Sequence, residues 1–190
     1  MFENNLYQHL LLQANRHSEN IHARRHNTAM SCFRLAMLKG KISRIRRGIL
    51  RRRMWLYDLA SIKSQIGLRG SYYAGIKVVS MNHIIGTEGR SDSFDIDFFP
   101  VSEESRERWI NMALAYLSCV PLSPVELTQV GDAYFVRDGH HRISVARAFG
   151  QLALDAEVIV WKAHPPFPWE TNTQLRPIHL TQGKEISGNE

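Results

Sequence analysis

The sequence predicts an α+β protein, a small mixed sheet with helices, preceded by a basic helical N-terminal extension. Three observations support this fold class. Residues 5–64 contain no proline and only two glycines, which favours helix. Short β-branched and aromatic runs at 76–85, 125–130, 133–136 and 154–161 are bounded by turn-forming residues, which is typical of strands. Residues 101–118 and 140–149 place apolar side chains at helical spacing between those strands.

Composition sets the class of protein. A chain of 190 residues with 44% hydrophobic content can form one domain plus an extension. No stretch reaches the 18 or so apolar residues of a membrane span. The two cysteines, Cys32 and Cys119, lie far apart in a chain without an apolar leader, so we expect reduced thiols and a cytoplasmic protein.

Charge divides the chain into two parts. Residues 1–70 hold 14 basic and 3 acidic residues, a net charge of +11, whereas residues 71–190 have a net charge of −5. We therefore predict a basic helical arm at 1–67, a glycine-containing linker at 68–75 and a folded domain at 76–161. The proline-containing tail at 162–190 is expected to be extended or partly disordered.

The arm carries a dense basic segment with an apolar face. Seven Lys or Arg residues occur among residues 41–53. The predicted apolar face beside them has helical spacing and comprises Ile42, Ile45, Ile49, Leu56 and Leu59. This face can pack on the domain while the charges stay solvated. The cations can also bind nucleic acid phosphates, and for that role we predict Lys41, Arg44, Arg47, Arg51 and Arg52. An anionic membrane surface is the less favoured alternative, and a membrane partner is not expected.

Residues 125–150 form the local unit on which the functional prediction depends. Two short strands separated by Gly131-Asp132 predict a hairpin, and a turn at Asp138-Gly139 follows it. A helix then begins with His140-His141-Arg142 and ends before Gly150. The two histidines and the arginine therefore fall in a first helical turn.

A first helical turn is suited to anions, because its backbone amides have no partner inside the helix and the helix dipole is positive there. Gly139 allows a ligand close to the backbone, Arg142 supplies a forked cationic donor, and His140 or His141 adds a further donor. These residues predict a phosphate site. Asp138 can cap the helix itself or hold a divalent cation that accompanies a phosphate. A capped surface helix with a solvated His-His-Arg is the alternative.

Residues 85–100 suggest a second part of the same site. Here Arg90 is predicted to contact a phosphate, with Glu88 or Asp95 as a metal ligand or general base. The alternative is a polar connection in which aspartates cap turns and phenylalanines anchor the chain.

Residues 76–161, and above all YFVRDGHHRISVARAFG followed by LDAEVIVW, resemble the ParB/sulfiredoxin superfamily. The resemblance implies a small α+β fold in which a Gly-x-x-Arg segment, here Gly139 to Arg142, contacts the phosphates of a nucleotide. His140 stands where sulfiredoxins have their nucleophilic cysteine, so sulfinic acid reduction is not expected. Because only a short tail follows Trp161, a complete partitioning protein with its DNA-reading module is not expected.

The sequence thus predicts a ParB-like protein that binds CTP or ATP and associates with nucleic acid through its basic arm. The alternative is an enzyme: a phosphotransferase resembling free-serine kinases, an NTP hydrolase or a nuclease, with Glu88 or Asp138 supplying metal or base chemistry. The expected cofactor is a nucleoside triphosphate, with or without Mg²⁺, and no metal site built from protein residues is predicted.

Overall fold

A single long helix opens the fold. The computed structural model describes the backbone of residues 3–65, 67–89 and 92–170, with side chains from Asn20 onward. Helix α1 spans Glu3–Ile49 without interruption. No proline interrupts it, and its two glycines, Gly40 and Gly48, are tolerated because tertiary packing contributes more than local propensity.

One mixed sheet forms the centre of the described residues. Its six strands are, in chain order, β1 (Tyr57–Asp58), β2 (Ser71–Ser80), β3 (Ile84–Thr87), β4 (Val125–Val130), β5 (Ala133–Asp138) and β6 (Ala153–Trp161). Their order across the sheet is β1-β3-β5-β4-β6-β2. The pairs β1–β3, β3–β5 and β4–β6 are parallel, whereas β4–β5 and β6–β2 are antiparallel. The α+β class and the N-terminal helix are confirmed.

Three further helices are short. They are α2 (Leu59–Lys63), α3 (Arg106–Leu117) and α4 (His140–Ala148). The carboxylate of Asp58 accepts hydrogen bonds from the amides of Ala60 and Ser61, which explains why α2 begins immediately after β1. Among the described residues, no helix has both the length and the apolar character needed to cross a membrane.

Helices α4, α3 and α1 lie in layers on one face of the sheet. Ile143 and Ala146 of α4 pack against the buried side chains of β4, β5 and β6. Helix α3 packs on α4, and α1 packs on α3 through a cluster that comprises Ala29, Phe33, Ala36, Met37, Trp109, Ile110, Ala113 and Val145. Trp109 Nε1 also donates to Ser144 Oγ at 2.9 Å, so this α3–α4 contact includes a buried hydrogen bond.

The opposite face of the sheet has its own core. Successive residues of β5 point to opposite faces, so Val136 packs toward α4 while Phe135 packs toward Leu59 and Ile62 of α2. Phe167 and Trp169, which follow the last strand, complete this second core. The C-terminal segment is therefore part of the folded unit as far as Glu170, although the sequence predicts an extended tail from residue 162.

Strand β3 passes close to its neighbours at a glycine. A Cβ on Gly86 would lie 2.5 Å both from the carbonyl oxygen of Tyr57 and from Cε1 of the Phe135 ring. The absence of a side chain thus lets β1 and β5 pack against β3.

Three predictions about the extent of elements are wrong. The predicted apolar face that joined Ile42, Ile45 and Ile49 to Leu56 and Leu59 does not exist as one helical face, because α1 ends at Ile49. The two leucines are buried in cores on opposite faces of the sheet. The predicted strand 76–85 is two strands, β2 and β3, separated by a 3₁₀ turn at Met81–His83. Strand β2 also begins at Ser71, inside the predicted linker.

Strand β2 lies at one edge of the sheet and is irregular. Its pairing with β6 shifts register between Tyr73 and Ile76, and Gly75 there has a positive φ of 79°. The edge strand therefore bends away from a regular ladder part-way along its length.

Candidate functional site

The turn between β5 and α4 depends on a glycine. Gly139 precedes α4 with φ 97° and ψ 21°, a left-handed conformation that favours glycine. A Cβ at this position would also lie 2.6 Å from Val125 Cγ1. The residue at the N-cap position of α4 is Gly139, which has no side chain that could accept from the first-turn amides. The suggestion that Asp138 caps the helix is therefore wrong.

Arg142 is held by its own protein. One terminal nitrogen donates to the carbonyl oxygens of Ser123 and Pro124, at 2.6 and 2.7 Å, and to Ser123 Oγ at 2.7 Å. The other donates to the carboxylate of Asp138. The side chain of Arg142 is only 16% exposed. These bonds tie the first turn of α4 to the segment that enters β4, and a phosphate would have to compete with four acceptors for this guanidinium.

The two histidines enclose a buried phenylalanine. His140 is 6% exposed, and its Nε2 lies 2.7 Å from Thr87 Oγ1 on β3. Its ring stacks on Phe94 at 5.9 Å, while the ring of His141 meets Phe94 edge-on at 5.2 Å. The imidazole of His140 thus packs into the interior of the domain.

Glu88 contacts side chains of β4 and β5. It accepts a hydrogen bond from the hydroxyl of Thr128 at 3.1 Å. Its carboxylate and that of Glu126 each lie 3.8 Å from Arg137 Nε. The structure therefore places Glu88 in a carboxylate–guanidinium–carboxylate group at the ends of the strands. Arg90, predicted to join it on a phosphate, lies outside the described residues.

A cleft opens beside the turn. It has a volume of about 490 Å³, and its lining comprises Arg108, Asn111, Met112, Leu122, Ser123, Asp138, Gly139, His140, His141 and Arg142. We call it the turn cleft. Of the predicted catalytic residues, Asp138 lines it and Glu88 does not. A neighbouring cavity of about 580 Å³ shares Leu122, Ser123 and Arg142 with it and is lined mainly by apolar residues.

Arg108 and Asn111 were not predicted from the sequence. They lie three positions apart on α3, beside the buried face formed by Trp109, Ile110 and Ala113, and both are exposed. The i, i+3 spacing places them on one side of the helix. This spacing is the one feature of the sequence that could have linked the two residues. Their position beside the turn depends on the packing of α3 on α4, which the spacing does not indicate.

The turn cleft has little with which to hold a metal ion. Asp138 is its one carboxylate among the described lining residues, and it is bound to Arg142. In the described part of the chain, no three His, Cys, Asp or Glu side chains are grouped so as to bind a metal. A magnesium ion accompanying a nucleotide would therefore be held mainly by the phosphates, with Asp138 as the nearest protein ligand.

The basic residues predicted to bind nucleic acid fall into two groups. Arg44 and Arg47 form ion pairs with Asp95 and Asp97, at 3.4 and 3.2 Å. The remaining three are exposed: Lys41 on α1, and Arg51 and Arg52 just beyond its end. The structure thus brings the first two against the domain and leaves the others at the surface.

Asp95 forms a buried junction between α1 and the domain. Its carboxylate is 1% exposed and accepts hydrogen bonds from the amides of Asp97 and Phe99, at 3.0 and 2.8 Å. Burial raises the pKa of Asp95 to about 6, and the nearby charge of Asp97 adds to the rise. The two amides and Arg44 only partly offset this effect. Asp95 therefore lies under α1, away from the turn cleft.

Comparison of the chain with protein-family models, with curated proteins and with solved structures gives no match.

Proposed function

We propose that this protein binds a nucleotide, with the phosphates in the turn cleft. The observation that carries the proposal is the first turn of α4, which follows Gly139 in a left-handed conformation and borders a cleft of about 490 Å³. The positive end of a helix dipole favours phosphate oxygens. The volume of the cleft falls within the range of small-molecule sites.

The cleft also supplies a cation opposite the turn. Arg108 is exposed on α3 and lines the cleft, while Asn111 adds an amide one helical turn further along. We assign the phosphate contacts to the positive end of α4 and to the guanidinium of Arg108. Arg142 is a positioning residue in this proposal, because its hydrogen bonds to Ser123, Pro124 and Asp138 hold the turn in place.

We favour binding over catalysis. The enzyme alternative needs a base or metal ligand in the cleft, but Asp138 is bound to Arg142 and Glu88 lies with Arg137 and Thr128. The relation to the ParB/sulfiredoxin superfamily, including its preference for CTP or ATP, remains a prediction. Its support is the GHHR segment at the start of α4.

The test is a nucleotide titration monitored by thermal unfolding and calorimetry. A ligand that binds the native state at 100 times its Kd stabilises it by about 2.7 kcal/mol. We expect ATP, CTP or GTP, with or without Mg²⁺, to raise the midpoint more than inorganic phosphate does. If no nucleotide changes the midpoint at millimolar concentration, the proposal is wrong.

A matched pair of arginine variants locates the site. Losing one charge-assisted phosphate contact costs about 1.5–3 kcal/mol, so Arg108→Ala should weaken nucleotide binding at least about tenfold. Arg106→Ala is the control, since Arg106 lies on the same helix and is exposed but does not line the cleft. Equal affinities for the two variants would place the phosphates elsewhere.

Nucleic acid association through the basic helix also remains a prediction. With Arg44 and Arg47 paired to aspartates, it depends on the exposed cations Lys41, Arg51 and Arg52. No acidic residue occurs between residues 20 and 57, so this surface attracts polyanions in general.

A further inference from the structure

Helix α1 exposes a row of large apolar side chains. We call this row the apolar stripe, and it comprises Leu35, Leu38, Ile42, Ile45 and Ile49. The residues follow one another at intervals of three and four, which places them along one side of the helix. Each is between 51% and 77% exposed. Singly exposed leucines are ordinary, but a contiguous exposed row indicates an interaction surface.

The apolar stripe lies opposite the side of α1 that is already buried. That buried side comprises Ala29, Phe33, Ala36, Met37 and Gly40 and packs toward α3. It is fixed in place, since a Cβ on Gly40 would lie 2.9 Å from Phe99 Cβ and 3.0 Å from the carboxylate of Asp95. The helix therefore cannot rotate to bury the stripe without losing this contact.

Cations line both borders of the apolar stripe. At 100° per residue, Arg34 and Lys41 fall on one border and Lys39 and Arg46 on the other. All four are exposed. The exposed side of residues 34–49 is thus apolar along its middle and positively charged along both margins.

The cations at the two margins indicate which kind of partner can cover the apolar stripe. In a parallel coiled coil with a second copy, Arg34 would oppose Lys39 and Lys41 would oppose Arg46, which places like charges together. Nucleic acid would neutralise the cations but would leave the leucines and isoleucines against phosphates and water. An anionic bilayer satisfies both features, because acyl chains accept the stripe while lipid phosphates meet the margins.

We propose that α1 docks on an anionic lipid surface through the apolar stripe. The stripe extends over about 21 Å of helix axis, so the helix would lie in the plane of the interface. The α3-facing side points the opposite way, which keeps the folded domain outside the bilayer. Lys and Arg along the margins are long enough to reach the headgroups while the stripe enters the acyl boundary. The sequence alone favours nucleic acid over a membrane as the partner of this helix. Because the stripe is exposed, we place the membrane first.

The test is vesicle flotation of the full chain. We expect it to float with vesicles of equal phosphatidylglycerol and phosphatidylcholine, and to stay unbound with phosphatidylcholine alone. Ile42→Ser/Ile45→Ser should reduce binding at least about tenfold, because it removes two apolar contacts from the stripe. The matched control is Ile76→Ser/Leu152→Ser, which changes two apolar residues that are 61% and 83% exposed elsewhere on the domain. Circular dichroism should show unchanged helix content for both variants.

Several outcomes would overturn the proposal. One is a wild-type chain that does not float with anionic vesicles, and another is a stripe variant that floats as well as wild type. Equal binding to neutral and anionic vesicles would show that the cations at the margins do not contribute to lipid binding. If light scattering shows an oligomer that Ile42→Ser/Ile45→Ser converts to a monomer, a second copy covers the stripe instead. If the stripe variant loses binding to duplex DNA while no vesicle binds, the surface belongs to nucleic acid.

Discussion

Asp95→Asn should remove a specific part of the pH dependence of stability. Burial raises the pKa of Asp95 from 3.8 to about 6 in the native state. The native protein therefore binds this proton more tightly than the unfolded chain does. Through this group, the free energy of unfolding rises as the pH falls from about 6 toward 4, and is lowest at neutral pH. A shift of about two pKa units corresponds to about 3 kcal/mol.

The assay is urea unfolding of wild type and Asp95→Asn at a series of pH values from 4 to 7. Asparagine keeps an oxygen that can accept from the amides of Asp97 and Phe99 but has no charge to bury. We expect the stability of the variant relative to wild type to be about 3 kcal/mol more favourable at pH 7 than at pH 4. Asp155→Asn, at an exposed position on β6, is the control and should follow wild type. A difference between Asp95→Asn and wild type that stays constant across this range would refute the reasoning.

Three further predictions concern the core and the basic surface. Gly86→Ala should destabilise the fold by about 3 kcal/mol in thermal unfolding, because its Cβ would collide with Tyr57 O. Gly67→Ala, with no atom within 4 Å of a new Cβ, should be close to neutral. Trp109→Phe removes the bond to Ser144, so we expect a loss of about 1–3 kcal/mol in urea unfolding, partly recovered when Ser144→Ala is added. Fluorescence anisotropy with mixed-sequence DNA should show binding that weakens as the salt concentration rises. This binding should be lost when the exposed cations Lys41, Arg51 and Arg52 are all changed to Glu. Unchanged affinity in that triple variant would show that the basic surface does not bind nucleic acid.

The elements predicted well from the sequence are those whose determinants are local. The strands predicted at 125–130 and 133–136 and the helix from His140 onward form as expected, and the second strand continues to Asp138. The glycine-containing turns and the apolar periodicity that predict them all lie within residues 125–150. Gly150 also has the positive φ, 78°, that ends such a helix.

The errors arise where a periodic apolar pattern does not indicate which side of an element is buried. Helix α1 has apolar residues on two opposite sides, and periodicity alone does not indicate that Phe33 is buried while Ile42 is exposed. Strand β1 has only two residues, and its partner β3 begins 26 residues after it ends, so no local signal could assign it to the sheet.

The functional role of the candidate site stays a prediction, and the sequence indicates only some of the residues that the structure brings together there. It indicates the turn at Gly139, beside which the turn cleft lies. The acceptors that hold Arg142 come from Ser123 and Pro124, nearly twenty residues earlier. Arg108 reaches the cleft only through the packing of α3 on α4. Such partners depend on tertiary structure, which residue spacing does not encode.

The irregular edge of the sheet bears on self-association. Strand β2 presents ten residues, several of them large and apolar, along a border that has no neighbour in the described chain. A straight border of this kind would template cross-β growth between molecules. The kink at Gly75 and the ammonium group of Lys77 interrupt that template. A more regular β2 would be expected to make the protein prone to forming fibrils.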